Sequence, residues 1–163
     1  MQRKEIIYID TSVYGGYFES VFADETVRLF QMVFQGEFIV MVSDLLEWEL
    51  SRAPQEVYDL FRSIPPELIR RVSVSRESDE LAMKYIEAKV VGKNSFMDCR
   101  HLATASVSGA DMVVSWNYKH MVNINRIRGY NSVNIVQGYS VIEIRSPKEI
   151  VNNDNDSNEF GNG

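Results

Sequence analysis

The sequence predicts an α/β fold, a parallel sheet covered by helices on both faces. Three observations carry this. Strand-like stretches alternate with stretches of helical periodicity along the chain. The strand-like stretches are continuously apolar, as in strands buried on both faces, rather than alternating apolar and polar. The 163 residues, 45% of them hydrophobic, suffice for one ordinary domain with a sizeable core, and no internal repeat is present.

Each element has a local reason. Glu5–Ile9 reads as the first strand: short, β-branched, and ended by the polar Asp10, Thr11 and Ser12. "DETVRLFQMVFQGEF" is an amphipathic helix with Val27, Phe30, Val33 and Phe34 on one face, and Gly36 suits its C-terminal cap. Phe38–Ser43 is a second apolar strand, and "DLLEWEL" is a short helix capped by Ser43 or Asp44. "APQEVYDLFRSI" is another helix, with Pro54 tolerated near its start and "PPE" ending the pattern. "RRVSV" reads as a short third strand. "ESDELAMKYIEAKVV" is a helix with Leu81, Tyr85, Ala88 and Val91 on one face. "SFMDCRHLATASVSG" is a helix closed by Gly109, and "DMVVS" is the strand that follows. A turn or short helix begins at Asn117, "SVNIV" reads as a late strand, and "YSVIEI" as an edge piece. The domain is expected over 1–151, with 152–163, "NNDNDSNEFGNG", as a disordered polar tail.

Composition narrows the function classes. No apolar run approaches the roughly 18 residues that span a membrane. The opening "MQRKEII" has too short an apolar run for a signal peptide, so a cytoplasmic protein is expected. The single cysteine, Cys99, excludes an internal disulfide framework, and two histidines with one cysteine cannot make a four-ligand zinc site without carboxylates. There is no G-x-G-x-x-G and no Walker A loop. The formal charge of −6 argues against a large nucleic-acid surface. Yet the region from Asn117 to Lys148 sets Lys119, Arg126, Arg128, Arg145 and Lys148 against Glu143 alone, which leaves room for a nucleic-acid partner.

The acids are sorted by the rule that open parallel α/β sheets bind ligands outside the carboxyl ends of their strands. Asp10 immediately follows the first strand. Glu49 lies on the helix after the second, and Asp98 in the first turn of the helix that leads to "DMVVS". Ser115 and Asn117 stand where that strand ends, and Asp111 where it starts. Asp111 is therefore set aside, on the order of 15 Å from Asn117 at about 3.3 Å per residue. Clustered carboxylates repel, and a hard dication removes the conflict. Such an ion polarises phosphoryl oxygens and acidifies bound water, the chemistry of phosphodiester hydrolysis. Each acid also has a plainer reading. Asp10 would cap the next turn, Asp98 would complete a capping box with Ser95, and Glu49 would be solvated, with Glu47 competing for its place. His101, one turn after Asp98, would orient that carboxylate or pack below it. His120 reads as a turn residue, Cys99 as a small buried hydrophobe, and Trp48 and Trp116 as packing residues. Tyr14, Tyr17 and Phe18 read as core or dimer packing, with base stacking as the alternative.

Taken in order, "IIYIDTSVYGGYF", "VSDLLEWELSRAP", "FMDCRHLATASVSGADMVVSWNYKH" and "VNIVQGYSVIEIRSPKEI" resemble the PIN-domain ribonucleases, a family that includes the toxins of VapC-type toxin–antitoxin pairs. The matching pieces run from residue 5 to about 150. The resemblance implies a three-layer PIN-like fold with a central parallel sheet of about five strands, over a domain at 1–151. It implies Mg²⁺- or Mn²⁺-dependent endonuclease activity on RNA, a homodimer, and, for a toxin, a small antitoxin that obstructs the site. By position, the metal-binding acids of the family match Asp10, Glu49 and Asp98. The fourth family acid usually follows a Ser or Thr by two residues. Here "SWN" places Asn117 two residues after Ser115, so a neutral amide stands where a charge is usual. Asn117 and Ser115 would then fix a water or a carboxylate. That departure, with the acidic net charge, leaves an alternative: a catalytically weak or inactive PIN-like module that binds RNA or protein.

Overall fold

The structure, a computed structural model, describes the backbone of residues 3–160 and the side chains of residues 3–153. Five strands form one sheet in the order β3-β2-β1-β4-β5, where β1 is Glu5–Ile9, β2 Phe38–Ser43, β3 Ile69–Val72, β4 Met112–Val114 and β5 Glu143–Arg145. Every pairing is parallel. Ile7 stands in register with Val40 on one side and Met112 on the other, and Tyr8 with Met41 and Val113. Side chains pointing to both faces of β1, β2 and β4 are buried, which is why these strands are apolar throughout.

The helices are α1 (Thr11–Gly16), α2 (Ala23–Phe34), α3 (Asp44–Ser51), α4 (Gln55–Arg62), α5 (Arg76–Glu87), α6 (Phe96–Val107), α7 (Ile124–Val136) and α8 (Pro147–Phe160). They flank the sheet, α1, α2 and α8 packing in one group and α5, α6 and α7 in another. Among the described residues no helix is long and apolar enough to cross a membrane. Gly36 and Gly109 end α2 and α6 as expected.

Four local expectations differ from the structure. "SVNIV" is not a strand but the last turns of α7. Its β-branched residues favour a strand locally, but Tyr130 and Asn134, four apart, are buried together on one helix face. Gly129 lies within the helix, where it lets α7 approach Val90, whose Cγ1 would lie 2.8 Å from an added Cβ. Gly138 closes α7 at φ +88°, with Tyr139 N–H donating to Asn134 O at 2.8 Å. Next, α5 stops at Glu87, short of Val91, because Lys89 turns left-handed at φ 59°. Its N–H reaches Ile86 O and that of Val90 reaches Tyr85 O, so Ala88 is exposed and Val91 is buried outside the helix. On α2 the fully buried residues are Thr26, Leu29, Phe30 and Val33, while Phe34 lies at the margin. Finally, α8 crosses the expected boundary after residue 151 and runs to Phe160. Pro147 stands at its start, and Ile150 and Val151 bury in the core and anchor its first turns. Residues 161–163 of the expected tail lie outside the described residues.

Candidate active site

The strand order reverses between β1 and β4, since the chain leaves β1 toward β2 and returns on the other side as β4. A crevice opens at the carboxyl ends of two such neighbours. Asp10 stands at its floor. Its N–H donates to Val114 O at 3.0 Å, which ties the end of β1 to the end of β4. Its carboxylate caps α1, accepting the Ser12 N–H at 3.0 Å and the Ser12 hydroxyl. The cap expected for Asp10 therefore exists, but magnitudes show that it does not explain the residue. A cap contributes about 1 kcal/mol, and burying an ion costs several kcal/mol. Ser or Asn would cap as well without a charge, yet Asp10 is only 7% exposed.

Glu49 comes from α3, which β2 delivers to the same edge. Its Oε1 accepts from His101 Nε2 at 2.8 Å and its Oε2 from the Thr11 hydroxyl at 2.6 Å. His101 thus hydrogen-bonds to Glu49 rather than to Asp98, the partner that the sequence spacing suggests. The competing acid, Glu47, points elsewhere and pairs with Arg71 at 3.1 Å.

Asp98 lies in the first turn of α6. Among the described residues Ser95 makes no side-chain cap hydrogen bond, so the expected capping box does not form. Instead Asp98 Oδ2 accepts from Asn117 Nδ2 at 3.3 Å. Asn117 is held in turn by its N–H, which donates to Ser115 Oγ at 3.0 Å. Ser115 is fully buried below the cleft, and its N–H continues the ladder to Arg145 O at 3.0 Å.

Asp10, Glu49, Asp98 and Asn117 line one cleft of ≈ 280 Å³ together with Thr11, Ser12, Met97 and His101. No Lys or Arg is among those lining residues. Burial raises Asp10 above the usual carboxylate range, opposed by the hydroxyls of Ser115 and Ser12 and by His101, and reinforced by the charge of Asp98. Burial likewise raises Asp98, with His101 and His120 opposing and Glu49 reinforcing. Burial would raise Glu49 too, but the hydrogen bond and charge of His101 and the bond from Thr11 outweigh it and hold Glu49 low. Three carboxylates thus line one cleft, two of them raised chiefly by burial. Oxygen donors of this kind suit a hard dication. The fit is one of donor type and of a shared cleft, not of coordination geometry: among the described residues no three His, Cys, Asp or Glu side chains are drawn into one metal-holding cluster.

The remaining expectations divide. Asp111 sits at the opposite edge, paired bidentately with Arg3 and accepting the Ile6 N–H at 2.8 Å. His120 is a turn residue whose N–H donates to Asn117 Oδ1 and whose carbonyl accepts from Tyr130. Cys99 is buried. Trp116 packs, stacked on Phe22 at 4.5 Å between ring centroids. Trp48 does not pack inside; it is 57% exposed beneath the Arg52 guanidinium. Tyr14 is fully buried against Phe30 and Phe61, while Phe18 is partly exposed beside Tyr17. Sequence reasoning missed Thr11, Ser12, Tyr8 and Ser43. For Tyr8 a signal existed, because residues two apart on a strand share a face, and Tyr8 is two before Asp10.

No family model matches the chain, and no curated protein matches it by sequence. In structure it is similar to VapC20 of Mycobacterium tuberculosis, described as a toxin that cleaves the sarcin–ricin loop. The TM-score is 0.54 at 16% identity, covering 69% of this chain and 91% of that one. It is also similar to VapBC2 of Rickettsia felis, solved with a DNA fragment from its promoter. There the TM-score is 0.51 at 13% identity, covering 86% of this chain and 98% of that one. The chain has the three-layer PIN-like fold of these VapC structures.

Proposed function

We propose that the chain is an endoribonuclease that hydrolyses RNA phosphodiester bonds with Mg²⁺ or Mn²⁺ as cofactor, and that it is the toxin of a toxin–antitoxin pair. The observation that carries this reading is the convergence of Asp10, Glu49 and Asp98 on one cleft at the β1–β4 crevice, with no Lys or Arg lining it. The likeness to VapC20, whose description is that of an RNA-loop-cleaving toxin, supports the substrate class.

Asp10, Glu49 and Asp98 are the residues that would hold the ion. A divalent ion bound there would polarise a phosphoryl oxygen and lower the pKa of a water. The rest of the work falls to the chain itself. Ser12 and Ser115 favour the ionised form of Asp10. His101 and Thr11 fix both oxygens of Glu49. The Asn117 amide steadies Asp98. A small antitoxin that obstructs the cleft, a homodimer and a cytoplasmic location belong to the same reading.

The test is degradation of mixed RNAs by purified protein with Mg²⁺ or Mn²⁺, beside Asp10→Asn and Asp98→Asn and with EDTA. Loss of cleavage in all three controls is the expected result; equal cleavage by the variants sinks the assignment. A second reading, a non-catalytic binding module of the same fold, is favoured by Asn117 acting as a donor where the family usually carries an acid. Calorimetry separates the two, since absence of Mn²⁺ binding at millimolar concentration selects the binding module.

A further inference from the structure

We propose that Tyr8 and His101 are positioning residues for Glu49: a buried hydrogen-bond chain from the N-terminus of α3 through Ser43, Tyr8 and His101 sets how Glu49 presents its carboxylate to the cleft. The consequence for metal affinity rests on the reading of that cleft as a dication site; the chain itself does not.

Tyr8 lies in the middle strand of the sheet, in register with Met41 and Val113, and is fully buried. Phe would fill that place without a polar atom to satisfy. The phenol instead lies 2.7 Å from Ser43 Oγ and 2.6 Å from His101 Nδ1. Ser43 is fully buried and His101 is 5% exposed. Each buried polar group costs about 1–3 kcal/mol if left unpaired, so the chain is stable only with every link made.

The links have one consistent direction, assigned from donors and acceptors. Ionised Glu49 can only accept, so His101 Nε2 carries the hydrogen on the 2.8 Å bond to Oε1. With the hydrogen on Nε2, Nδ1 is left to accept, and Tyr8 donates to it. Burial keeps the Tyr8 phenol protonated, its pKa raised well above the ordinary value. The Tyr8 oxygen accepts from the Ser43 hydroxyl, and Ser43 Oγ accepts the Leu46 N–H at 3.0 Å as the cap of α3. Reversing the chain at His101 would leave the Ser43 hydroxyl hydrogen without an acceptor among these partners.

Glu49 is therefore gripped on both oxygens, by a ring oriented from the core and by Thr11 from the α1 turn. Its helix, α3, is capped by the same Ser43 that starts the chain. Hydrogen-bonded partners behind a metal-ligating carboxylate typically contribute roughly 10–100-fold to metal affinity.

The test compares Tyr8→Phe with the unaltered chain. In metal-free protein, ¹⁵N-detected imidazole spectra of His101 are expected to show the Nε2–H tautomer alone in the unaltered chain and a mixture in Tyr8→Phe. Mn²⁺ affinity by calorimetry is expected to fall roughly 10-fold in the variant. An unchanged His101 tautomer, or an affinity within about twofold of the unaltered chain, overturns the proposal. Should Tyr8→Phe not fold, His101→Leu and His101→Gln decide. Gln retains a donor near the Nε2 position and is expected to bind Mn²⁺ more tightly than Leu; equal affinities overturn the proposal. If the unaltered chain binds no Mn²⁺, the metal reading fails, and the metal-free tautomer measurement still judges the positioning chain.

Discussion

Asn117 Nδ2 donates to Asp98 Oδ2 at 3.3 Å, while Oδ1 of the same amide accepts the His120 N–H at 3.0 Å. A backbone N–H can only donate, so it fixes which end of the amide is oxygen, and the NH₂ end must face Asp98. Asn117 is thus a donor to an acid, in a place where another acid would repel it.

Asn117→Asp keeps the acceptor for His120 but turns the donor into a second carboxylate oxygen facing Asp98. In EDTA the variant is expected to lose about 1–3 kcal/mol of stability, a fall of roughly 2–4 °C in Tm per kcal/mol. On the proposed reading of the cleft as a dication site, the deficit is expected to narrow with Mn²⁺, because a bound cation would offset the added charge. Thermal unfolding with and without Mn²⁺ checks this, and an equal deficit in both conditions contradicts it.

The pH dependence has a definite sign. Burial raises Asp10 and Asp98, so the folded protein holds their protons more tightly than the unfolded chain. The stability from this source is fully present below the ordinary carboxylate range and is lost as pH rises through the raised folded-state values. Glu49 is held low and acts oppositely: its contribution is present above the ordinary value and is lost as pH falls through the lowered one. Asp10→Asn removes one of the raised groups but retains an acceptor for Ser12. Without divalent ions, its urea midpoint is expected to rise relative to the unaltered chain as pH increases above the ordinary carboxylate value. Parallel curves would exclude an ionising Asp10 as a burden on the fold.

Gly16 is where α1 meets Trp116. A Cβ there would stand 2.8 Å from Trp116 Nε1 and 3.2 Å from Phe22 Cβ. The indole has no room to yield, since it stacks on Phe22 and donates to Thr26 Oγ1 at 3.0 Å. Trp116 N–H also donates to Ser12 Oγ, the hydroxyl that serves Asp10. Gly16→Ala is expected to cost about 1–3 kcal/mol by overpacking and to shift the tryptophan emission. Weakened Mn²⁺ binding should accompany it, because the displacement reaches Ser12. A urea midpoint equal to that of the unaltered chain would refute the contact.

Asn134 is fully buried on α7, accepting from Tyr85 OH and donating to Ser106 Oγ at 3.0 Å. Asn134→Ala strands both partners and is expected to cost about 1–3 kcal/mol, with RNA cleavage per folded molecule unchanged. A variant as stable as the unaltered chain would show that those groups find other partners.

Much of the site was legible because the sheet is parallel. An apolar run buried on both faces announces its own strand, and its carboxyl end is marked by the next polar residue. Asp10 and the Ser115-Trp116-Asn117 turn are readable on that basis, and Asp111 is excluded by it. The failures have local causes. In "SVNIV" the β-branched residues speak for a strand, and only Tyr85 and Ser106, contributed by other helices, make that segment a helix with a polar buried face.

By itself, then, the sequence determined most of the elements, the parallel sheet and which acids reach its carboxyl edge, because burial pattern and chain order are properties of successive residues. Tertiary structure alone decided what each acid touches. Tyr8 and His101 are 93 positions apart, Thr11 and Glu49 38, and Asp98 and Asn117 19. Hydrogen bonds depend on tenths of an ångström between groups that only the packed helices bring together, and no local pattern encodes that distance.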